Sequence, residues 1–229
     1  MTARSGYKLK LVNVARRVFV IAATLVVVGA IHVSADGKLK AVIDDPDGFT
    51  NLRAEPDAKS AVVAKVKRGE VFTFELPAGD SEWYRVTLAS GKKGYLHGSR
   101  VRLHATMADL ADPKLDDDII ESARRESHDY FVLARAAARG EPEAMRTYFA
   151  FRGDGERGEQ HADVMATVIH ILGDEKLAAF LRQQPADYRD QAREEMQTVS
   201  DMGMLLEPVA GMSYLRRHFP KTSAALKLR

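Results

Sequence analysis

The stretch that decides the fold is Val42–Leu103, "VIDDPDGFTNLRAEPDAKSAVVAKVKRGEVFTFELPAGDSEWYRVTLASGKKGYLHGSRVRL". Clusters of turn-forming residues divide it into short segments, at Asp45–Gly48, Glu55–Asp57, Lys67–Gly69, Ala78–Ser81 and Ser90–Gly94. Between the turns, apolar and polar residues alternate, as they do in strands with one buried face. Tyr84, Val86 and Leu88, for example, share one face of their segment, and Phe72, Phe74 and Leu76 share one face of theirs. The pattern predicts a small all-β barrel over residues 40–104.

Four motifs follow one another in this stretch: "DPDGFTNLRAEP", "VKRGE", "EWYRV" and "GKKGYLHGSRV". In this order they resemble the bacterial SH3 (SH3b) domain family over residues 42–103. The resemblance implies an SH3-like barrel that serves as a binding module in the cell envelope. Many family members bind peptidoglycan peptides, often beside a cell-wall hydrolase, and others bind proteins.

The candidate ligand-binding residues are Asn51, Arg53, Trp83, Tyr95 and His97. Trp83 lies on the strand face opposite the predicted core, so we expect it to be partly exposed. A partly exposed Trp with polar neighbours offers a peptide both apolar area and hydrogen bonds. The alternative is that Trp83 and Tyr95 close the ends of the barrel, and that His97 belongs to a structural turn.

Residues 1–35 have the three parts of a secretory signal peptide. A basic segment without acidic residues is followed by the 16-residue apolar run Val18–Val33 and by the small residues of Val33-Ser34-Ala35. An uncleaved anchor is disfavoured because a membrane span needs about 20 apolar residues. An Ala before the Arg16-Arg17 pair favours general secretion over twin-arginine export. We therefore expect a periplasmic or secreted protein of the bacterial envelope, with no stable membrane span after cleavage.

Composition excludes several classes of function. The chain has no Cys, so it has no disulfide, thiolate nucleophile or Cys-ligated metal. The formal net charge is +2, but residues 1–35 carry five basic and no acidic residues, so the remainder carries −3 and no nucleic-acid partner is expected. The seven His residues match no metal-ligand spacing, and neither a phosphate-binding loop nor a GxSxG motif occurs. We expect no metal, no cofactor and no enzymatic activity.

Beyond the barrel, the polar residues 105–117 are predicted to form a linker to a helical domain over residues 118–229. The apolar period there changes from two to about 3.6 residues. We expect one long helix over Ile119–Arg139 that ends at Gly140, and a second helix that begins at Pro142.

Three segments of the helical region share a pattern at a spacing of 33 residues: "GEPEAMRTYF" at Gly140–Phe149, "GDEKLAAFL" at Gly173–Leu181 and "EPVAGMSYL" at Glu207–Leu215. They predict three stacked helix hairpins, as a solenoid or bundle. Residues 118–218 weakly resemble ankyrin-like helix-hairpin repeats, but they lack the Thr-Pro-Leu-His element of that family.

The sequence thus predicts an α+β multidomain protein, with an SH3-like barrel followed by an all-α domain. We expect an exported, non-catalytic binding protein whose barrel recognises peptidoglycan peptide or another envelope ligand. One alternative is a protein–protein interaction adaptor built on the helical repeats, with Tyr148 and Tyr214 exposed on a concave face. Another is a hydrolase in the helical region, which would need a cleft that groups His128, His161 or His170 with carboxylates.

Overall fold

The computed structural model describes residues 39–76, 81–111, 117–152, 156–201 and 213–228. Its first part is a curled antiparallel sheet, as the sequence predicts. Within the described ranges the sheet has seven strands, in the order β3-β2-β6-β5-β4-β1-β7. A bridge between Ile43 and Arg68 brings the end of β3 back towards β1, so the sheet curls into a half-barrel. The strands are β1 Leu39–Ile43, β2 Phe49–Arg53, β3 Val62–Lys67, β4 Val71–Glu75, β5 Trp83–Leu88, β6 Lys93–His97 and β7 Val101–Leu103.

The barrel interior follows the predicted alternation, with one exception. Tyr84 and Val86 of β5 are buried, and Phe74 of β4 packs edge-on against Tyr84 with ring centroids 5.4 Å apart. Leu76, expected on the same face as Phe74, is instead 46% exposed. The reason is that β4 ends at Glu75, so the alternation no longer applies one residue later.

Gly94 determines how β2 meets β6. A Cβ atom at this position would lie 2.5 Å from the carbonyl oxygen of Arg53 and 2.8 Å from Cγ of Leu52. Only a residue without a side chain permits the two strands to approach this closely. The close approach puts Arg53 directly opposite Tyr95 of β6.

The described beginning of the segment predicted as a linker, residues 105–111, packs against the helices. Residues Met107–Leu110 form a 3₁₀ turn, in which the backbone N–H of Thr106 donates to Asp109 Oδ2 at 2.6 Å. Leu110 is buried in the core, and its carbonyl accepts a hydrogen bond from Arg135 Nη1 at 3.2 Å. This segment therefore joins the barrel to the helices by contact as well as by chain continuity.

Seven α-helices lie in the part of the helical region that the structure describes. Helix α4 is central and packs on α1, α2, α5 and α7, while α2 and α3 form a hairpin. The helices are α1 Asp117–Arg125, α2 Tyr130–Arg139, α3 Pro142–Ala150, α4 Glu156–Arg182, α5 Ala186–Asp201, α6 Ser213–His218 and α7 Pro220–Leu226.

The single long helix expected over Ile119–Arg139 is wrong, because α1 and α2 are separate helices. Ser127 adopts a left-handed conformation with φ 64°, which ends the first helix. Asp129 then begins the second as its N-cap, accepting a hydrogen bond from Val132 N–H at 3.0 Å. A short carboxylate side chain satisfies a free N–H at a helix start, so a new helix begins there.

Two of the three repeat positions coincide with breaks in helices. Gly140 ends α2 with φ 89°, and Gly173 interrupts α4 with φ 71°. The two breaks lie side by side, because a Cβ at Gly140 would be 3.8 Å from Leu172 and 3.9 Å from Lys176. The second predicted hairpin is one interrupted helix, α4, and most of the third repeat lies outside the described residues.

Barrel and helices share one continuous hydrophobic core. The predicted signal peptide lies outside the described residues. Among the helices that are described, none combines the length and apolar character that a membrane span requires.

Candidate functional site

The five residues predicted as ligand-binding lie on one outward face of the barrel, formed by the neighbouring strands β2, β6 and β5. Arg53 of β2 is opposite Tyr95 of β6, and Trp83 of β5 is opposite His97 of β6. Asn51 is two residues before Arg53 and therefore on the same face of β2. We call this surface, Asn51, Arg53, Trp83, Arg85, Tyr95 and His97, the outer face.

Trp83 and Tyr95 are half-buried on the outer face, and neither belongs to the buried core of the barrel. The aromatic residues that fill the interior are Phe72, Phe74 and Tyr84. The interior is therefore packed without the Trp83 and Tyr95 rings, and both rings have surface available to a ligand.

His97 is fixed in orientation beside Trp83. The two rings meet edge to face, with centroids 5.2 Å apart and an interplanar angle of 88°. Nδ1 of His97 is 2.7 Å from Ser99 Oγ and also accepts the backbone N–H of Ser99 at 3.3 Å. Since Nδ1 accepts, Nε2 carries the proton in the neutral ring and donates to Glu82 Oε2 at 3.2 Å. These contacts fix the orientation of the His97 ring at the edge of the outer face.

Two arginines give the outer face its positive charge. Arg53 is anchored, since its Nη1 donates to the carbonyl of Ser60 at 2.7 Å. Arg85 is exposed and lies opposite Tyr95 on the side away from Arg53. Arg85 is absent from the predicted site residues, although the alternation of β5 already places it on the same face as Trp83.

A second group of polar residues joins the barrel to the helices. Tyr214 of α6 is 1% exposed, and its hydroxyl accepts the backbone N–H of Leu103 in β7 at 2.9 Å. The same hydroxyl is 2.8 Å from Nε2 of His170 in α4. Nδ1 of His170 donates to the carbonyl of Ala166 at 2.5 Å, so Nε2 is the acceptor for Tyr214. One chain of hydrogen bonds therefore runs from a barrel strand into the central helix.

Asp44 and His218 form a second link across the same junction, at 3.0 Å between Oδ2 and Nδ1. The hydrogen bond from His218 lowers the pKa of Asp44, and the charges of Arg102 and Arg68 lower it further. Burial lowers the pKa of His218, although Asp44 offsets part of this effect. At neutral pH the pair is therefore a carboxylate and a neutral imidazole that donates to it.

The three histidines considered for a hydrolase are not grouped in an open cleft. His161 and His170 are both buried within the helical packing, and His161 bonds to the Tyr130 hydroxyl at 2.8 Å. Burial lowers the pKa of each of these two histidines to about 3. His128 lies in the α1–α2 connection. Within the described ranges, His, Asp and Glu side chains form no cluster of three or more that suits a metal ion.

Residues 48–102 match the family model of the bacterial SH3 domain. The match lies within the half-barrel and includes all five predicted site residues. A comparison with curated proteins found no match. The barrel is therefore a bacterial SH3 domain, a family of binding domains, and a helical region follows it in the chain and shares its hydrophobic core.

Proposed function

We propose that the protein is an exported, non-catalytic binding protein of the bacterial envelope, and that its SH3 domain recognises peptidoglycan peptide through the outer face. The observation that carries this proposal is the grouping of two half-buried aromatic rings with two arginines on three adjacent strands. The rings offer apolar surface on which a bound peptide can pack. The guanidinium groups of Arg53 and Arg85 can pair with its carboxylates.

The basic leader and apolar run of residues 1–35 support export to the periplasm or beyond, where this ligand is found. Mass spectrometry of the protein from the producing cell tests the export step. A mature chain beginning at Asp36 is expected, and an intact Met1 in the cytoplasmic fraction would contradict export by a cleaved signal.

The helical domain serves in this proposal as the scaffold that carries the SH3 domain. The adaptor alternative requires that Tyr148 and Tyr214 be exposed on a concave face. In the structure these two residues are buried, with exposures of 0% and 1%. Their burial removes the sequence argument for a concave, aromatic binding face on the helices.

Retention on purified peptidoglycan sacculi tests the binding proposal. The Trp83→Ala variant should lose most retention, while Trp83→Phe, which keeps an aromatic ring, should keep part of it. Tyr188→Ala, at a half-buried aromatic of α5, is the matched control and should bind as the unaltered protein does. Circular dichroism establishes that each variant is folded. Equal retention of the Trp83→Ala and control variants would show that the outer face does not bind the wall.

A further inference from the structure

A cleft of about 780 Å³ lies between the barrel and the helical domain. This volume falls within the range of roughly 300–1,000 Å³ that is usual for small-molecule sites. Three arginines form much of its barrel wall: Arg68, Arg100 and Arg102. Its helical wall includes Arg217, His218 and Lys221, from α6 and the start of α7.

Cations outnumber carboxylates on the barrel wall. Asp44 is shared between Arg68 at 3.0 Å and Arg102 at 3.8 Å, and it also accepts from His218. Arg100 has a separate partner, Asp45, at 3.4 Å. The three arginines are therefore balanced by two carboxylates only, which leaves one positive charge without compensation.

The acidic residues of the helical wall are already engaged. The carboxylate of Asp174 accepts the backbone N–H groups of Lys221 at 3.0 Å and Thr222 at 2.7 Å. Glu175 forms an ion pair with the Lys221 ammonium. Arg217 is exposed and has no carboxylate within ion-pair distance among the described residues.

His218 fixes the position of Asp44 beside the cleft. Its side chain is wholly buried where it lines the cleft, and Nδ1 is held by Asp44. Its other nitrogen, Nε2, has no hydrogen-bond partner in the described part of the chain. Because this atom has no surface open to solvent, the groups available to a ligand are the exposed guanidinium groups that line the cleft.

We propose that this cleft binds a small polyanion bearing carboxylate or phosphate groups, with Arg68 on the barrel wall, which shares one carboxylate with Arg102, and Arg217 on the helical wall as the principal contacts. Planar guanidinium groups match the geometry of both oxyanions. A ligand that contacts both walls binds only the docked arrangement of the two domains, so it also stabilises that arrangement. The cleft uses none of the five residues predicted for the outer face; the nearest approach is Ser99, which lines the cleft and contacts His97.

Titration with inorganic phosphate and with succinate, at constant ionic strength and followed by calorimetry, tests this site and identifies which oxyanion it prefers. Arg217→Gln and Arg68→Gln should each weaken binding of the preferred probe about tenfold, the loss expected for one charge-assisted hydrogen bond. The matched control is Arg216→Gln, which removes an equally exposed charge from the same helix but does not line the cleft. This variant should bind as the unaltered protein does.

The Trp83→Ala variant should also keep full affinity for the probe, which separates this site from the outer face. Absence of binding by both probes would overturn the proposal. So would equal weakening by Arg216→Gln and Arg217→Gln, since that result would indicate only a response to overall charge. If the protein binds the probe but is not retained on sacculi, the proposal for the outer face is contradicted and the proposal for the cleft is supported.

Discussion

The Tyr214 hydroxyl links the barrel to the helices, so its removal should destabilise both parts together. Replacing Tyr214 by Phe removes one oxygen atom and keeps the ring in place. Two buried groups then lose their partner, namely the backbone N–H of Leu103 and Nε2 of His170. Because Tyr214 is 1% exposed, water has little access to replace the missing hydroxyl.

The expected loss of stability follows from these two groups. A buried donor or acceptor left without a partner costs about 1–3 kcal/mol, and the two are coupled through the same oxygen, so we expect about 2–4 kcal/mol in total. For a domain of this size, 1 kcal/mol shifts the melting temperature by about 2–4 °C, so the shift should be roughly 5–15 °C.

The chain itself provides two probes for the assay. Trp83 is the only Trp, so its fluorescence reports on the barrel. Far-ultraviolet circular dichroism at the helix band reports mainly on the helical domain. Since both parts share one core, urea unfolding of the Tyr214→Phe variant should move the two signals together to lower urea.

The control is Tyr188→Phe, whose hydroxyl donates to the backbone carbonyl of Arg146 at 3.0 Å near the surface. Solvent can replace that bond, so the control should lose about 1 kcal/mol or less. Coupling through the hydrogen-bond chain is refuted if Tyr214→Phe lowers the free energy of unfolding no more than Tyr188→Phe does. It is also refuted if the fluorescence and circular dichroism signals of the unaltered protein unfold at different urea concentrations.

Three further perturbations test other parts of the structure. Gly94→Ala places a Cβ 2.5 Å from the Arg53 carbonyl and should cost about 1–3 kcal/mol in urea unfolding, whereas Gly91→Asn, at a left-handed position in open space, should cost less. Leu110→Ala should cost about 2–5 kcal/mol, and a loss under 1 kcal/mol would show that its segment is a free linker. Acid should destabilise the protein as the pH falls from about 6.5 towards 3, because the unfolded chain binds protons that the buried His161 and His170, each with a pKa of about 3, do not bind in the folded state. His170→Gln should remove about half of that pH dependence, because His161 still contributes, and an unchanged slope would contradict the burial argument.

The SH3 domain was predictable because its signals are local. Turn residues and two-residue alternation lie within a few positions of each other, so they indicate strands without knowledge of the rest of the chain. The same alternation places Trp83 outside and Tyr84 inside, as the structure has them. The alternation also places Arg85 on the outer face, although Arg85 is not among the five residues that the sequence predicts for the site.

Other features needed information that a local pattern does not hold. The break between α1 and α2 depends on Asp129 acting as an N-cap, and an Asp after a His in a charged segment is equally compatible with a helix surface. Leu110 is one of three large apolar residues, with Met107 and Leu115, scattered in a polar segment without a helical or strand period, so its burial depends on the helix that covers it. His218 and Asp44 are 174 residues apart, and only the folded chain shows that they meet.

The position of the junction decides whether the SH3 domain can still act as a binding module. Contacts to the helices come from Asp44 after β1 and Leu103 of β7, at one end of the strand order. The outer face lies on β2, β6 and β5, and these strands carry neither of the two contacts. Docking therefore anchors the barrel and leaves the Trp83 surface accessible. A domain held in this way would present the site proposed for the outer face in a fixed direction relative to the helices, so a structural role for the barrel is compatible with the proposed binding role.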